Sequence, residues 1–170
     1  MREAADIRIA AIERRSVWQI KTWLASHDEA ARAMFEAQGL SRRVGETSAA
    51  FGGRALTLGP QEWLVVGEAL RLEREPVAQD WIAVNVTDAF GMLEVQGASA
   101  RELLSKGCGL DLHPRVFRVG QCARTRFAQL PIVLTCVGHA DRFELLVARS
   151  YTRYLRDWLV DAATGCGEVA

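Results

Sequence analysis

The stretch "KGCGLDLHPRVF", residues 106–117, gathers a thiol, a carboxylate and an imidazole at Cys108, Asp111 and His113. Three readings are open. A metal ion needs three or four converging ligands, and these intervals match no common zinc spacing; Cys136 and His139 can join only if the fold brings them close. A Cys108 nucleophile needs a nearby base and a lowered pKa, and His113 is the only local argument for one. The third reading is structural. Lys106 sits in the last turn of a helix, where its cation opposes the negative end of the dipole. Gly107 can adopt the left-handed conformation that stops a helix, and Gly109 allows a second bend. Leu110 and Leu112 then face one side of an extended stretch and Asp111 and His113 the other, with Pro114 keeping His113 extended. This reading accounts for each residue, so the segment is expected to be a helix exit and loop, with no catalytic residue and no metal ligand.

Three other charged residues are candidate ligand contacts. Arg124 and Arg126 lie two apart on a strand-like run, sharing a face about 7 Å apart, and can hold a carboxylate of a ligand or partner. The alternative is a solvated or cross-strand-paired face. Asp88, following "AVNVT", can bind a ligand amine or cap the turn at Ala89-Phe90-Gly91. No GxGxxG or GxxxxGK[ST] stretch supports a dinucleotide or P-loop site.

The elements that must position these groups follow from periodicity. "DIRIAAI" and "SVWQIKTWL" read as strands, the second alternating with period two. "HDEAARAMFEAQG" changes to helical spacing, with acids in its first turn and Gly39 placed to stop it. Residues 40–53 are polar and Gly-rich and read as a loop, "RALTLGPQEWLVVGE" as a hairpin turning at Gly59-Pro60, and "RLEREPVAQD" as a connector. "WIAVNVTDAFGMLEVQG" gives two strands broken around Thr87-Asp88-Ala89. "ASARELLSKG" reads as a helix with Ser99 and Glu102 in a capping box and Leu103 and Leu104 buried. "GQCARTRFAQLPIVLTCVG" gives two strands around residues 129–131, "DRFELLVARS" another, and "YTRYLRDWLVDAA" a closing amphipathic helix.

"GPQEWLVVGEALRLE" and "HADRFELLVARSYTRYL" both run turn, acid, aromatic, apolar strand, helix. That echo predicts related halves, residues 1–75 and 76–163, with a flexible tail at 164–170. The fold class expected is α+β: two ββαβ-like units forming antiparallel sheets covered by helices.

Composition bounds the partners. With 21 basic and 21 acidic residues the net charge is zero, so no field attracts nucleic acid or anionic membranes. Near-neutrality also does little to resist association, which suits an obligate subunit and makes self-association of the isolated chain an expectation. Cys108, Cys122, Cys136 and Cys166 form no CxxC pair and are expected as free thiols. No run approaches a membrane span and "MREAADIRIAAIERRS" has no apolar signal core, so a cytoplasmic protein is expected. The tryptophans (Trp18, Trp23, Trp63, Trp81, Trp158) read as core and interface mass. Tyr151, Tyr154 and Trp158 on the closing helix are candidates for apolar surface left exposed in the lone chain.

"LGPQEWLVV" (58–66), the run from "NVTDAFGMLEVQG" through "KGCGLDLHPRVFRVGQCARTRFAQLPIVL" (85–134) and "DRFELLVARSYTRYLRDWLVDAA" (141–163) closely resemble the gamma-subunit family of heterotetrameric sarcosine oxidase. The first fifty residues match it loosely. The resemblance implies a fold like the folate-binding domain of the glycine-cleavage aminomethyltransferase, in a complex that demethylates sarcosine oxidatively to glycine. It implies alpha, beta and delta subunits as partners, with FAD, FMN, NAD, tetrahydrofolate and zinc on those other subunits and no cofactor on this chain. An assembly role beside the flavin subunits is the expectation. The alternatives are a stand-alone folate-binding one-carbon protein and a binding or structural module outside any oxidase. The transferase carries an aspartate just beyond a Gly-Gly turn near its folate. The corresponding hairpin here, "TRFAQLPIVLTCV", has neither, so no activity is expected of the isolated chain.

Overall fold

The computed structural model describes residues 7–13, 15–23, 35–68, 81–138 and 141–164. Its strands are β1 (Arg8–Ala11), β2 (Ser16–Thr22), β3 (Thr47–Ala50), β4 (Gly53–Gly59), β5 (Glu62–Gly67), β6 (Trp81–Asn85), β7 (Phe90–Gln96), β8 (Cys122–Phe127), β9 (Leu130–Gly138) and β10 (Arg142–Ala148). The helices whose bounds lie within the described residues are α1 (Ala100–Ser105) and α2 (Thr152–Thr164), with single 3-10 turns at Thr87–Ala89 and Arg149–Tyr151; residues 35–37 are also helical. These elements separate into one unit of Arg14–Thr87 and another of Met1–Glu13 with Asp88–Ala170. The boundary expected between residues 75 and 76 lies outside the described residues, as do the "RLEREPVAQ" connector, most of the helix expected over "HDEAARAMFEAQG" and nearly all of the expected tail.

In the Arg14–Thr87 unit the sheet order is β3-β4-β5-β2-β6, every pair antiparallel. Trp63 anchors one face. Its ring lies 5.0 Å from that of Phe35, and its indole N–H donates to the Ser41 carbonyl at 2.7 Å. Ile20, Leu40, Ala50, Ala55 and Val65 complete that core. Residues 40–53, expected as a loop, contain β3. "TSAA" is a short edge strand with only Ala50 buried, so it lacks the apolar alternation that marks a strand. Phe51 and Gly52, at φ 52° and 76°, turn it directly into β4.

The second unit has the order β1-β7-β10-β9-β8, again antiparallel. Its core draws Leu93 and Val95 from β7, Phe143, Leu145 and Val147 from β10, and Ile132, Leu134 and Cys136 from β9. Leu103 and Leu104 of α1 and Leu155 and Leu159 of α2 cover that face.

The two sheets share one topology. Replacing β2, β3, β4 and β5 by β7, β8, β9 and β10 converts the first order into the second, with β6 and β1 in the fifth place. The echoed segments are β5 and β10, the central strand of each sheet. Even the tight turns correspond: Phe51-Gly52 between β3 and β4, Ala128-Gln129 between β8 and β9, all at positive φ. The α+β class with antiparallel sheets and covering helices is the observed one.

Two local expectations about α1 change. Ser99 precedes the helix, but its side chain makes no capping hydrogen bond. Its ψ of 10° is not the extended value that aims an N-cap hydroxyl at the first turn, and only its carbonyl bonds inward, accepting from the Leu103 N–H at 2.9 Å. Gly107 does not take a left-handed conformation. A Cβ there would lie 2.8 Å from Cζ of Phe127 and 2.9 Å from Cη2 of Trp158, so packing demands the glycine. Gly109 meets nothing within 4 Å of a Cβ and has no positive φ.

Candidate functional site

The residues singled out in "KGCGLDLHPRVF" turn to different partners. Cys108 is buried, its sulfur 3.6 Å from the Thr125 hydroxyl, and its backbone bridges to Phe127. Asp111 Oδ1 accepts from the His113 N–H at 2.9 Å, closing a local turn. His113 Nδ1 accepts from the Arg115 N–H at 3.2 Å, and the His113 carbonyl accepts from Val116 and Phe117. Leu112 is buried and Leu110 packs on the core, while Asp111 and His113 are exposed, the alternation expected of the segment. Lys106 reaches across to the Ala162 carbonyl of α2 at 3.2 Å. Among the described residues no group of three or more His, Cys, Asp or Glu could hold a metal ion; His139 lies outside them.

The side chain that organises this region is Arg101, which sequence reasoning missed. From α1 its Nε donates to Asp141 Oδ1 at 2.5 Å. One terminal nitrogen donates to the carbonyls of Leu112 and of Phe117, the latter at 3.0 Å. The other lies 3.9 Å from the Cys136 sulfur, and the guanidinium carbon sits 5.0 Å from the centroid of the Phe143 ring. A stretch without ladder partners must find donors for its inward carbonyls, and arginine carries five N–H groups in a fixed fork. That need was the available signal: residues 109–121 form no regular element, and the preceding helix offers an arginine. Burial pushes the Cys136 thiol above its ordinary value of 9.0 against the opposing pull of Arg101, so it stays protonated and a poor nucleophile. Cys108, Cys122 and Cys136 are buried and lie outside any disulfide among the described residues.

Arg124 and Arg126 lie on the same exposed side of β8, an edge strand; Arg124 is engaged in an interaction. Asp88 stands exposed on the 3-10 turn before β7. That turn is organised by its neighbours: Asn85 Oδ1 accepts from the Thr87 N–H at 3.0 Å, and the Thr87 hydroxyl accepts from Val17 N–H at 2.9 Å. The register places Asp88 and Arg126 toward the same end of the sheet, but β10 and β9 separate β7 from β8. Three strand spacings amount to about 14 Å, too far for one small ligand to bridge directly. Trp158 turns inward, edge-on to Phe127 with ring centroids 4.9 Å apart, while Tyr151 and Tyr154 are exposed.

The fold is of the aminomethyltransferase type. The structure is similar to the glycine cleavage system aminomethyltransferase T from Bartonella henselae, with a TM-score of 0.65 and 15% identity, covering 92% of this chain and 46% of that one. Residues 24–165 match the sarcosine oxidase, gamma subunit family, and the chain belongs to it. It is 34% identical over 145 residues to sarcosine oxidase subunit gamma of Arthrobacter sp., covering 82% of this chain and 71% of that protein. Its structure is similar to a chain of the heterotetrameric sarcosine oxidase from Corynebacterium sp. U-96 in complex with pyrrole 2-carboxylate. There the TM-score is 0.82 at 27% identity, over 99% of this chain and 90% of that one. No helix among the described residues is long and apolar enough to cross a membrane.

Proposed function

We propose that this chain is the gamma subunit of a sarcosine oxidase-type complex and works there without redox chemistry of its own, as an assembly partner of alpha, beta and delta subunits. The observation that carries the reading is the structural match to the heterotetrameric enzyme over nearly the full length of both chains. FAD, FMN, NAD, tetrahydrofolate and zinc then belong to the other subunits, and the complex works in the cytoplasm. The internal bonding of the 106–121 region supports this: its thiol, carboxylate and imidazole hold backbone and neighbours instead of converging on a reacting atom.

The aminomethyltransferase alternative loses support at the β8–β9 hairpin. Its turn is Ala128-Gln129, followed by Pro131 and by the buried Ile132, Val133 and Leu134, and no carboxylate occupies the hairpin. Asp88, Arg124 and Arg126 we assign to surface roles. The test is co-expression of the other three subunits with and without this chain, followed by size exclusion and a sarcosine-dependent turnover assay. The chain is expected to co-elute with the flavin subunits and to raise the yield of active complex. Full activity and normal assembly in its absence, or turnover by the isolated chain with tetrahydrofolate and an aminomethyl donor, overturns the reading.

A further inference from the structure

Residues 115–119, "RVFRV", combine a buried anchor with an outward face. Phe117 is buried and stacks on Phe143 with ring centroids 6.5 Å apart. Val116 and Val119 on either side are 53% and 47% exposed, and Arg115 and Arg118 are exposed beside them. Isolated exposed valines need no explanation, but here two are held out by a loop fixed from within. The N–H groups of Val116 and Phe117 donate to the His113 carbonyl at 2.8 and 2.9 Å. The Arg118 N–H donates to Gln121 Oε1 at 2.6 Å, and Arg118 Nε to the Arg115 carbonyl at 3.0 Å. Gly120 N–H donates to the Cys136 carbonyl at 2.9 Å, and Arg101 clamps the Phe117 carbonyl from below at 3.0 Å.

We propose that residues 115–119 are a docking surface for a folded partner subunit whose facing surface carries carboxylates around an apolar depression. A loop already ordered loses little conformational entropy on docking, so its contacts convert more fully into affinity. Among the described residues no carboxylate forms an ion pair with Arg115 or Arg118. Asp111, the acid nearest in sequence, is turned to the His113 N–H. Two guanidiniums without an ion pair among the described residues, alternating along the loop with two exposed valines, set the complement: acid groups for the arginines and an apolar recess for the valines. Arginine is also a residue that interfaces favour. The inference rests on the subunit role proposed above and adds which face of the chain makes a contact, and with what chemistry.

The test compares wild type with Arg115→Glu/Arg118→Glu and with Val116→Ser/Val119→Ser, each co-expressed with the alpha, beta and delta subunits. Retention of this chain in the complex is followed by size exclusion at about 0.05 and 0.5 M salt, where screening lengths differ severalfold. The valine variant is expected to keep the wild-type melting temperature, because its altered side chains point outward; the charge-reversed one loses the exposed Arg118–Arg115 hydrogen bond and is expected to melt within about 4 °C of wild type. Each is expected to be retained at least about tenfold more weakly. High salt should weaken wild type and the valine variant but not the charge-reversed one. If wild type itself does not assemble, the subunit reading fails and this inference with it. If wild type assembles and both variants match it, the docking surface is refuted alone. Weakening of the valine variant only refutes the carboxylate half of the proposal.

Discussion

Replacing Arg101 by methionine tests the claim that one side chain holds the 108–121 segment in place. Methionine keeps much of the apolar stem and its contact with Phe143 but removes every donor. Two carbonyls, of Leu112 and Phe117, lose their charged partner. An unsatisfied buried acceptor costs about 1–3 kcal/mol, and these lie in a loop that water can partly reach, so the lower half of that range applies to each. Asp141 loses its ion pair at 2.5 Å; with 30% of its side chain exposed it rehydrates, and the loss is about 1 kcal/mol. The sum is about 3–5 kcal/mol, which for a chain of this size lowers the melting temperature by about 10 °C or somewhat more. Thermal melts measure the total, and amide hydrogen exchange locates it: protection at Val116, Phe117 and Gln121 should fall before that of the β9 and β10 ladders. Asp141→Asn keeps an acceptor for Nε and should lose only the charge, with a shift of a few degrees at most. A melting temperature for Arg101→Met within about 2 °C of wild type, with loop protection unchanged, would refute the reasoning.

Gly107→Ala should destabilise by about 1–3 kcal/mol through overpacking against Phe127 and Trp158, and tryptophan fluorescence should report the disturbed ring; Gly109→Ala should be neutral in the same melts. Gln129→Gly should raise stability by about 1 kcal/mol, because Gln129 sits at φ 69° where a side chain is disfavoured; chemical denaturation that shows a loss contradicts this. Cys136 makes an alkaline prediction. Its folded pKa is raised, so both states keep the proton below the ordinary value of 9.0 and no pH dependence arises there. Above it the unfolded chain loses a proton that the folded chain retains, and stability falls as pH rises toward the folded value. Melting curves from about pH 8 to beyond about 10 should therefore be flatter for Cys136→Ala than for wild type, and equal slopes would remove the burial argument.

What the sequence disclosed and what it hid divide along the range of the interaction responsible. Strands β2, β5, β9 and β10 were legible because their apolar alternation or density is written in consecutive residues, and α2 because Leu155 and Leu159 repeat at helical spacing. The echo of "GPQEWLVVGE" in "HADRFELLVARS", read from the sequence as a sign of related halves, falls on the central strand of each sheet, where a strand flanked on both sides carries a dense apolar run. Strand β3 was illegible: an edge strand with one buried residue carries almost no pattern of its own, and its pairing with β4 defines it. Gly107 was recognised as a position for glycine, but for the wrong cause. A local rule offers backbone conformation as the reason, whereas the rings that forbid a Cβ come from positions 127 and 158.

The candidate site follows the same division. The density of thiol, carboxylate and imidazole in residues 106–117 is a fact of the sequence, and so are the proline and glycines that make the segment a loop. Whether such groups act together depends on what each one touches, and a loop of irregular backbone imposes a prior demand: its inward carbonyls and N–H groups must be satisfied. Asp111 and the His113 imidazole meet that demand locally, each accepting from an N–H two residues on. The carbonyls of Leu112 and Phe117 have no local donor, and Arg101 meets theirs. Oδ1 of Asp111 and Nδ1 of His113 are thus committed to backbone. The loop that results is stiff, and its outward side chains, Arg115, Val116, Arg118 and Val119, are what it offers to a neighbour.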